Sequence, residues 1–441
     1  MLSDGTINLL DMVVSVSNAI DLVSPEMGNH HKRVAYIALA VAREMRLPAE
    51  FKHDLILSGL LHDIGALSRE ERRELTRFDD DSDANIHAHG EAAYLLLHKF
   101  RHFANVANVI RFHHVPWSGG VGRRFRGEEV PLASHILHLA DRVDVLVDPA
   151  NPILGQVDTI AAAVSRQAGS MFEPELVEAF LELAWKEYFW LDLVSPSLDQ
   201  LLRRSASNLA IELDWDDVQD FAELMAHIID FRSRFTATHS SGVAAVGAIL
   251  ANTIGFSAIE CQKLKVAGHL HDVGKLAIPT EILEKPSRLT ADEYRIIKSH
   301  AYHTYRILEP IAGLADVTAW ASLHHERLDG NGYPARRPGH CIPLGARIIA
   351  VADVYTALSE DRPYRRSSPR SRVVGTLEEL AKTMVLDRSV IGALLDNYDE
   401  VDRHRQRTQE MALQEYDEFV GSLNACCGHA EGSVQGAKER A

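Results

Sequence analysis

The sequence repeats itself, and the repeat limits the possible folds more than any bulk property does. His30-His31-Lys32-Arg33-Val34-Ala35 aligns with His239-Ser240-Ser241-Gly242-Val243-Ala244, and Leu61-His62-Asp63-Ile64-Gly65 with Leu270-His271-Asp272-Val273-Gly274. His113-His114 falls on His324-His325 and Leu139-Ala140-Asp141 on Val351-Ala352-Asp353, with a weaker echo of Phe172 to Val177 in Leu386 to Ile391. The offset drifts only from 209 residues (His30 to His239) to 214 (Phe172 to Leu386). So steady a register means two copies of one domain, joined near residues 195 to 220.

Each copy reads as helical. Apolar residues recur at three- and four-residue intervals through Val34-Ile37-Ala38-Val41, Leu176-Val177-Phe180-Leu181-Ala184 and Val243-Val246-Ile249-Leu250, and no alternating strand pattern competes. Loops with Gly or Pro separate the helices at Ser118-Gly119-Gly120, Asp148 to Pro152, Ser195-Pro196 and Asp329 to Pro338. The expected fold is all-α, with two tandem helical bundles over residues 1–205 and 206–420. From Gly421 the sequence turns small and polar without a periodic apolar face, so residues 421–441 are expected to fray into a disordered tail.

A formal charge of −16, from 46 basic and 62 acidic residues, argues against broad binding to DNA or to an anionic membrane. The longest apolar run, Val34 to Ala42, is too short to span a bilayer, and Met1 to Asp11 lacks the basic start of a signal peptide. Cys261, Cys341, Cys426 and Cys427 form no CxxC pair or disulfide framework, which fits a reducing compartment. The expected location is the cytoplasm. The 23 histidines are many for this length, and they cluster.

In the second copy the candidate metal ligands are, in order, His239, His271, Asp272, His300, His324, His325 and Asp353. Any one of these histidines alone would be an ordinary core or surface residue. Imidazole and carboxylate without thiolate suit iron, manganese, nickel or zinc and disfavour a structural zinc cluster of the cysteine type. Seven ligands exceed the needs of one ion, whereas two ions bridged by the oxygens of Asp272 would use them. Such a pair activates a hydroxide at neutral pH and clamps both oxygens of a phosphodiester displacement, so hydrolysis is the expected chemistry. Asp272 and Lys275 are the candidate catalytic residues, Lys275 lying one helical turn past His271 where it could reach a phosphate oxygen. Asp329 to Pro334 reads as a tight turn that could aim Tyr333 into the site, and Asp361-Arg362-Pro363-Tyr364-Arg365-Arg366 gathers cations suited to phosphate. His269 and His303 fit no place in the pattern and read as ordinary helix residues.

These motifs resemble the HD-GYP branch of the HD phosphohydrolase superfamily: HDxGK at His271 to Lys275, HHExxDGxGYP at His324 to Pro334 and a DRPYR-like stretch at Asp361 to Arg365. The likeness covers roughly residues 220 to 405. It implies an all-helical, mostly bacterial, metal-dependent phosphodiesterase that opens a cyclic dinucleotide to the linear form, cyclic di-GMP first and cyclic GMP-AMP second. It implies metals on the seven ligands above and substrate on Lys275, Tyr333, Arg362 and Arg365, with two divalent ions, iron or manganese ahead of nickel or zinc. Three positions depart from the family: Gly242 replaces an arginine, Thr356 replaces a second aspartate after Asp353, and Phe235 replaces the glutamate with which some members build a third metal position.

The first half resembles a related HD domain, with His30, His62, Asp63, His113, His114 and Asp141 as a second candidate ligand set, completed by His87 or, preferably, His89. Ala66 replaces the lysine, Ser118 to Gly122 replaces the Gly-Tyr-Pro turn, and only Asp148-Pro149 follows in place of the arginine segment. Regulation, homodimerisation or ligand sensing is therefore expected of it ahead of catalysis. The alternative for the whole chain is a non-catalytic cyclic-dinucleotide sensor or interaction protein, motivated by Gly242 and Thr356. A third reading is a mononucleotide phosphohydrolase acting through the first half.

Overall fold

The structure is a computed structural model that describes residues 6–21, 28–66, 86–206, 211–231, 236–283, 285, 287–361 and 367–427. It is all-α, as the apolar spacing predicts; among the described residues the only strands are four pairs of residues. Two compact units emerge: Met1–Pro25 with Ile211–Asp417, and Glu26–Ala210 with Glu418–Ala441.

The chain opens with β1 (Ile7–Asn8) and α1 (Leu9–Asp21). The sequence division at residue 205 assigns them to the first bundle, but in space they belong to the unit built from the second copy. β1 pairs antiparallel with β4 (Glu212–Leu213), Ile7 opposite Leu213. Leu9, Met12, Val13, Val14 and Ile20 of α1 are fully buried. A helix so apolar on all sides must be covered on all sides.

The first-copy unit begins with α2 (His30–Glu44), which packs on α3 (Ala49–Leu61). There follow α4 (Ile86–Leu97), α5 (Ala104–Arg111), the hairpin of β2 (Arg124–Phe125) and β3 (Glu128–Glu129), and α6 (Leu132–Val145). The unit continues with α7 (Val157–Arg166), α8 (Pro174–Ala184), α9 (Glu187–Leu193) and α10 (Leu198–Ala206). The second-copy unit has α11 (Trp215–Asp230), α12 (His239–Ile254), α13 (Ala258–Leu270), α14 (Ala291–Lys298), α15 (His300–Leu308), α16 (Ala315–Ser322) and α17 (Leu344–Ser359). It closes with α18 (Arg370–Lys382), α19 (Arg388–Asp396) and α20 (Tyr398–Cys427), whose residues from Glu418 onward fall in the first-copy unit. α12 packs on α13 and α17 as α2 packs on α3 and α6. The starts of α11, α13 and α14 are set by capping boxes, Asp214 with Asp217, Ser257 with Glu260 and Thr290 with Glu293, which satisfy otherwise orphaned N–H groups.

One detail differs from expectation. α20 stays helical through Cys427, past the Gly421 at which a tail was expected to begin; residues 428–441 lie outside the described residues. No described helix is long and apolar enough to cross a membrane.

Candidate metal centre

The seven predicted ligands of the second copy converge. His239 and His300 are the first residues of α12 and α15, His271 and Asp272 follow the end of α13, His324 and His325 follow α16, and Asp353 lies within α17. Helix ends are suited to this task, because the side chain leaves the last turn with the backbone already anchored. The rings are aimed by the chain itself. Nδ1 of His271 donates to the Gly268 carbonyl at 2.7 Å, that of His300 to Ile297 at 2.6 Å, and that of His324 to Ala321 at 2.6 Å. A carbonyl can only accept, so the hydrogen sits on Nδ1 and the Nε2 lone pair faces inward.

Asp272 turns one oxygen to each side of the cluster. Its Oδ2 is 3.2 Å from His271 Nε2 and 2.5 Å from Lys275 Nζ, while Oδ1 is 3.3 Å from His300 Nε2. Ligand atoms fall into compact groups: His239, His271 and Asp353; His271, Asp272 and His324; His300, His324 and His325. His271 Nε2 is buried without a hydrogen-bond partner. A buried orphan acceptor is costly, and a cation would satisfy it. The donor set therefore fits divalent metal ions.

The electrostatics fit as well. Burial lowers the basicity of His239, but Glu360 and Asp353 outweigh it and push its pKa up to about 10. Burial would raise Asp272, yet His271 and Lys275 hold it well below the usual carboxylate range. Burial drives His325 down to about 4 and holds His324 well below 6.5. Asp230 at the end of α11, absent from the sequence expectations, is buried and raised to about 6 by desolvation, against the pull of His239 and Lys275. Its Oδ2 accepts from Ser240 N at 3.0 Å, next to the first ligand.

A cavity of about 540 Å³ opens over this cluster, lined by Asp272, Lys275, His300, His325, Tyr333 and Asp353 among others. The Gly-Tyr-Pro segment does aim Tyr333 at it: Tyr333 N donates to His325 O at 3.2 Å and the two rings are 4.7 Å apart. Glu326 holds the segment in place, its carboxylate accepting from Ala335 N at 2.7 Å and Arg337 N at 2.9 Å. Asp329 accepts from Asn331 N at 2.8 Å, so both acids of the motif build the loop. Lys298, another residue the motif reading missed, places Nζ 4.8 Å from the Tyr333 ring centroid. Arg362 and Arg365 lie outside the described residues.

The first copy repeats the geometry. His30 Nε2 is 3.2 Å from His62 Nε2 and 3.4 Å from Asp141 Oδ1; Asp63 sends Oδ2 to within 3.4 Å of His62 and Oδ1 to within 3.8 Å of His89. His89 groups with His113 and His114, whereas His87 packs its ring 4.8 Å from Phe125, so His89 is the member of the set. One cation differs in place. Arg142, fully buried, binds Asp141 Oδ2 at 2.6 Å; its counterpart by the repeat is Val354, which lines the second-copy cavity.

An all-helical bundle with paired His/Asp clusters at helix ends defines a class, and comparison assigns it. A family model described as "HD domain" matches residues 15–176 and 223–390. The chain belongs to the HD domain family, and its second copy to the HD-GYP branch. It is 32% identical to 3′3′-cGAMP-specific phosphodiesterase 1 of Vibrio cholerae over 89% of this chain and 93% of that one. It is 40% identical to the cyclic di-GMP phosphodiesterase response regulator RpfG of Xanthomonas campestris, over 32% of this chain and 38% of that one. The crystal structure of a cyclic GMP-AMP specific phosphodiesterase of V. cholerae superposes with a TM-score of 0.63 at 24% identity, covering 90% of this chain and 98% of that one, and shares its fold.

Proposed function

We propose that the second copy carries the reaction of this protein, a cyclic dinucleotide phosphodiesterase, and that the bond is cut at the cluster around Asp272. One observation carries this reading: there the ligand set borders a cavity that also exposes a lysine, Lys275. His239, His271, Asp272, His300, His324, His325 and Asp353 would hold two divalent cations, which when bound would supply Lewis acidity and lower the pKa of a water toward neutrality. Nitrogen and carboxylate donors favour iron or manganese, then nickel or zinc.

The remaining work falls to the chain. Asp272 keeps the two sides of the cluster in register through its two oxygens. Lys275 has three donors and gives one to Asp272, so it can meet the charge that grows on a non-bridging phosphate oxygen. Tyr333, Ile297 and Leu358 give the nucleotide an apolar wall. Of the two substrates the motifs allow, 3′3′-cGAMP is the better supported, since two relatives named as specific for it match along nearly the whole chain and the cyclic di-GMP relative RpfG over a third of it. The first copy is better suited to regulation, its cation Arg142 being sealed against Asp141.

Product analysis on both cyclic dinucleotides, with protein prepared anaerobically and its metals quantified, tests the reading. Linear product is expected from 3′3′-cGAMP and none after Asp272→Ala. Metal-loaded protein that converts neither substrate would overturn it and leave the sensor alternative.

A further inference from the structure

The two copies hold their first ligand histidine in different ways. In the first copy His30 Nδ1 is 2.7 Å from Asp144 Oδ2, and Arg33, one turn past His30, clamps the same carboxylate through Nε at 2.5 Å and Nη2 at 3.0 Å. The repeat puts Gly242 in place of Arg33 and Thr356 in place of Asp144. Neither can reproduce the clamp, because glycine has no side chain and a threonine hydroxyl carries no charge.

The second copy contains a substitute one turn further along. His239 Nδ1 lies 3.0 Å from Glu360 Oε1, at the end of α17. Gln409, nearly buried on α20, donates Nε2 to Glu360 Oε2 at 3.2 Å and to the Thr238 carbonyl at 3.2 Å, and its own carbonyl oxygen accepts from Arg405. The glycine is part of the device: a Cβ on Gly242 would stand 2.8 Å from Gln409 Nε2 and 2.9 Å from Thr356 Cγ2. The space that an arginine would fill is the space Gln409 enters. With Nδ1 engaged by Glu360, Nε2 of His239 points to Asp353 Oδ1, 3.2 Å away.

We infer that Glu360, seated by Gln409, is the positioning residue that aims His239 into the metal centre, doing for the second copy what the Arg33–Asp144 pair does for His30. The inference rests on the reading of His239 as a ligand. It also removes the ground on which Gly242 and Thr356 suggested a weakened site, because the two departures belong to one exchange of carboxylates.

The test uses the full chain and reads both metal affinity and turnover of 3′3′-cGAMP. Outer partners of ligand histidines are worth roughly 10- to 100-fold in metal affinity, and a loss of that size is expected for Glu360→Ala. Glu360→Gln, which keeps an acceptor for Nδ1, should fall less. Adding Thr356→Asp to Glu360→Ala restores a carboxylate where the first copy has Asp144 and should recover most of the affinity, which a mere folding defect would not allow. Wild-type metal affinity in Glu360→Ala, or no recovery in the double variant, would overturn the inference. His239→Ala separates the two levels: if it loses metal while Glu360→Ala does not, only the positioning role fails; if neither loses metal, the ligand reading fails too.

Discussion

Gly274 is the position at which the proposed division between the copies can be tested most sharply. A Cβ there would sit 2.0 Å from the His300 carbonyl oxygen and 2.5 Å from Thr304 N. Ordinary contact begins near 3.4 Å, so in Gly274→Ala the start of α15 must retreat by about 1.4 Å, or the HDxGK turn must. Either movement separates His300 from Asp272, whose atoms are now 3.3 Å apart. Thr304 Oγ1, which accepts from Gly274 N at 3.1 Å and donates to His271 O at 3.0 Å, would lose its bridge as well. Metal sites tolerate ligand errors of about 0.2 Å, and a misplacement of about 1 Å can cost a hundredfold in rate. The clash is with backbone, so the cost exceeds that of ordinary core overpacking, about 1–3 kcal/mol, and a thermal melt must accompany the rate.

The first copy supplies a control of matched severity. A Cβ on Gly65 would stand 2.1 Å from His89 O and 2.6 Å from Ala93 N. Both variants should therefore lose similar stability in a thermal melt, but only Gly274→Ala should lose turnover of 3′3′-cGAMP, by about a hundredfold or more. Full turnover in Gly274→Ala, or an equal collapse in Gly65→Ala with the second copy's metals still bound, would refute the assignment of catalysis to the second copy.

Three further outcomes are expected. Lys275→Met should cut kcat by about 10²–10³-fold at unchanged metal content, as removal of a single charge-stabilising donor does, while His303→Ala, outside the ligand pattern, should change turnover little; metal analysis beside steady-state rates distinguishes them. Deleting residues 1–25 removes β1 and α1 from the second-copy unit and strips the partners of Leu9, Met12, Val13, Val14 and Ile20, each worth roughly 1.5–3 kcal/mol when buried, so the melting transition of that unit should collapse; an unchanged melt would show that α1 is dispensable. In chelator-treated protein, burial holds His325 and His89 at about 4 and His269 at about 3, so the unfolded chain takes up protons below about 6.5 that the folded chain refuses. Stability should then fall as pH drops from 6.5 toward 4. His30 and His239, raised to about 9 and about 10, act in the opposite sense: their contribution is complete below 6.5 and is lost as pH rises through those values. Urea midpoints should peak near neutrality, and a flat profile down to pH 4.5 would contradict the buried-neutral assignment.

The helical fold and the ligand set were legible because both depend on short-range order. Helix spacing shows within four residues, and the His-Asp and His-His pairs put candidate ligands side by side at matching offsets in the two copies. What escaped depends on pairing across distance. α1 follows the order of the chain into the first bundle by default, yet its apolar surface is buried in the unit that begins again at residue 211. Glu360 meets His239 across 121 residues and Gln409 stands 49 residues further on, and no local pattern announces either. Lys298 shows no motif because its place over Tyr333 depends on the packing of α14 beside the Gly-Tyr-Pro loop. Gly421 signals a helix end by composition, but α20 continues through it, the cost of one glycine being only about 1 kcal/mol.

The proposed division of roles between the copies has a counterpart in how each places its charge. Each copy sets an aspartate between two groups of imidazoles, and each places a cation against a carboxylate of that set. In the first copy the cation is Arg142, at 0% exposure, spent on Asp141. In the second, residue 354 is a valine that widens the cavity, and the cation has moved to Lys275, whose side chain is 27% exposed and lies on the cavity wall. A guanidinium sealed against its carboxylate stabilises a buried charge and can do nothing for an incoming phosphate. An ammonium shared between Asp272 and open space can turn toward one. If the second copy is the one that cuts, as proposed, the placement of this charge is part of what equips it, beside the Gly-Tyr-Pro loop and the exchange of the Arg33–Asp144 pair for Glu360.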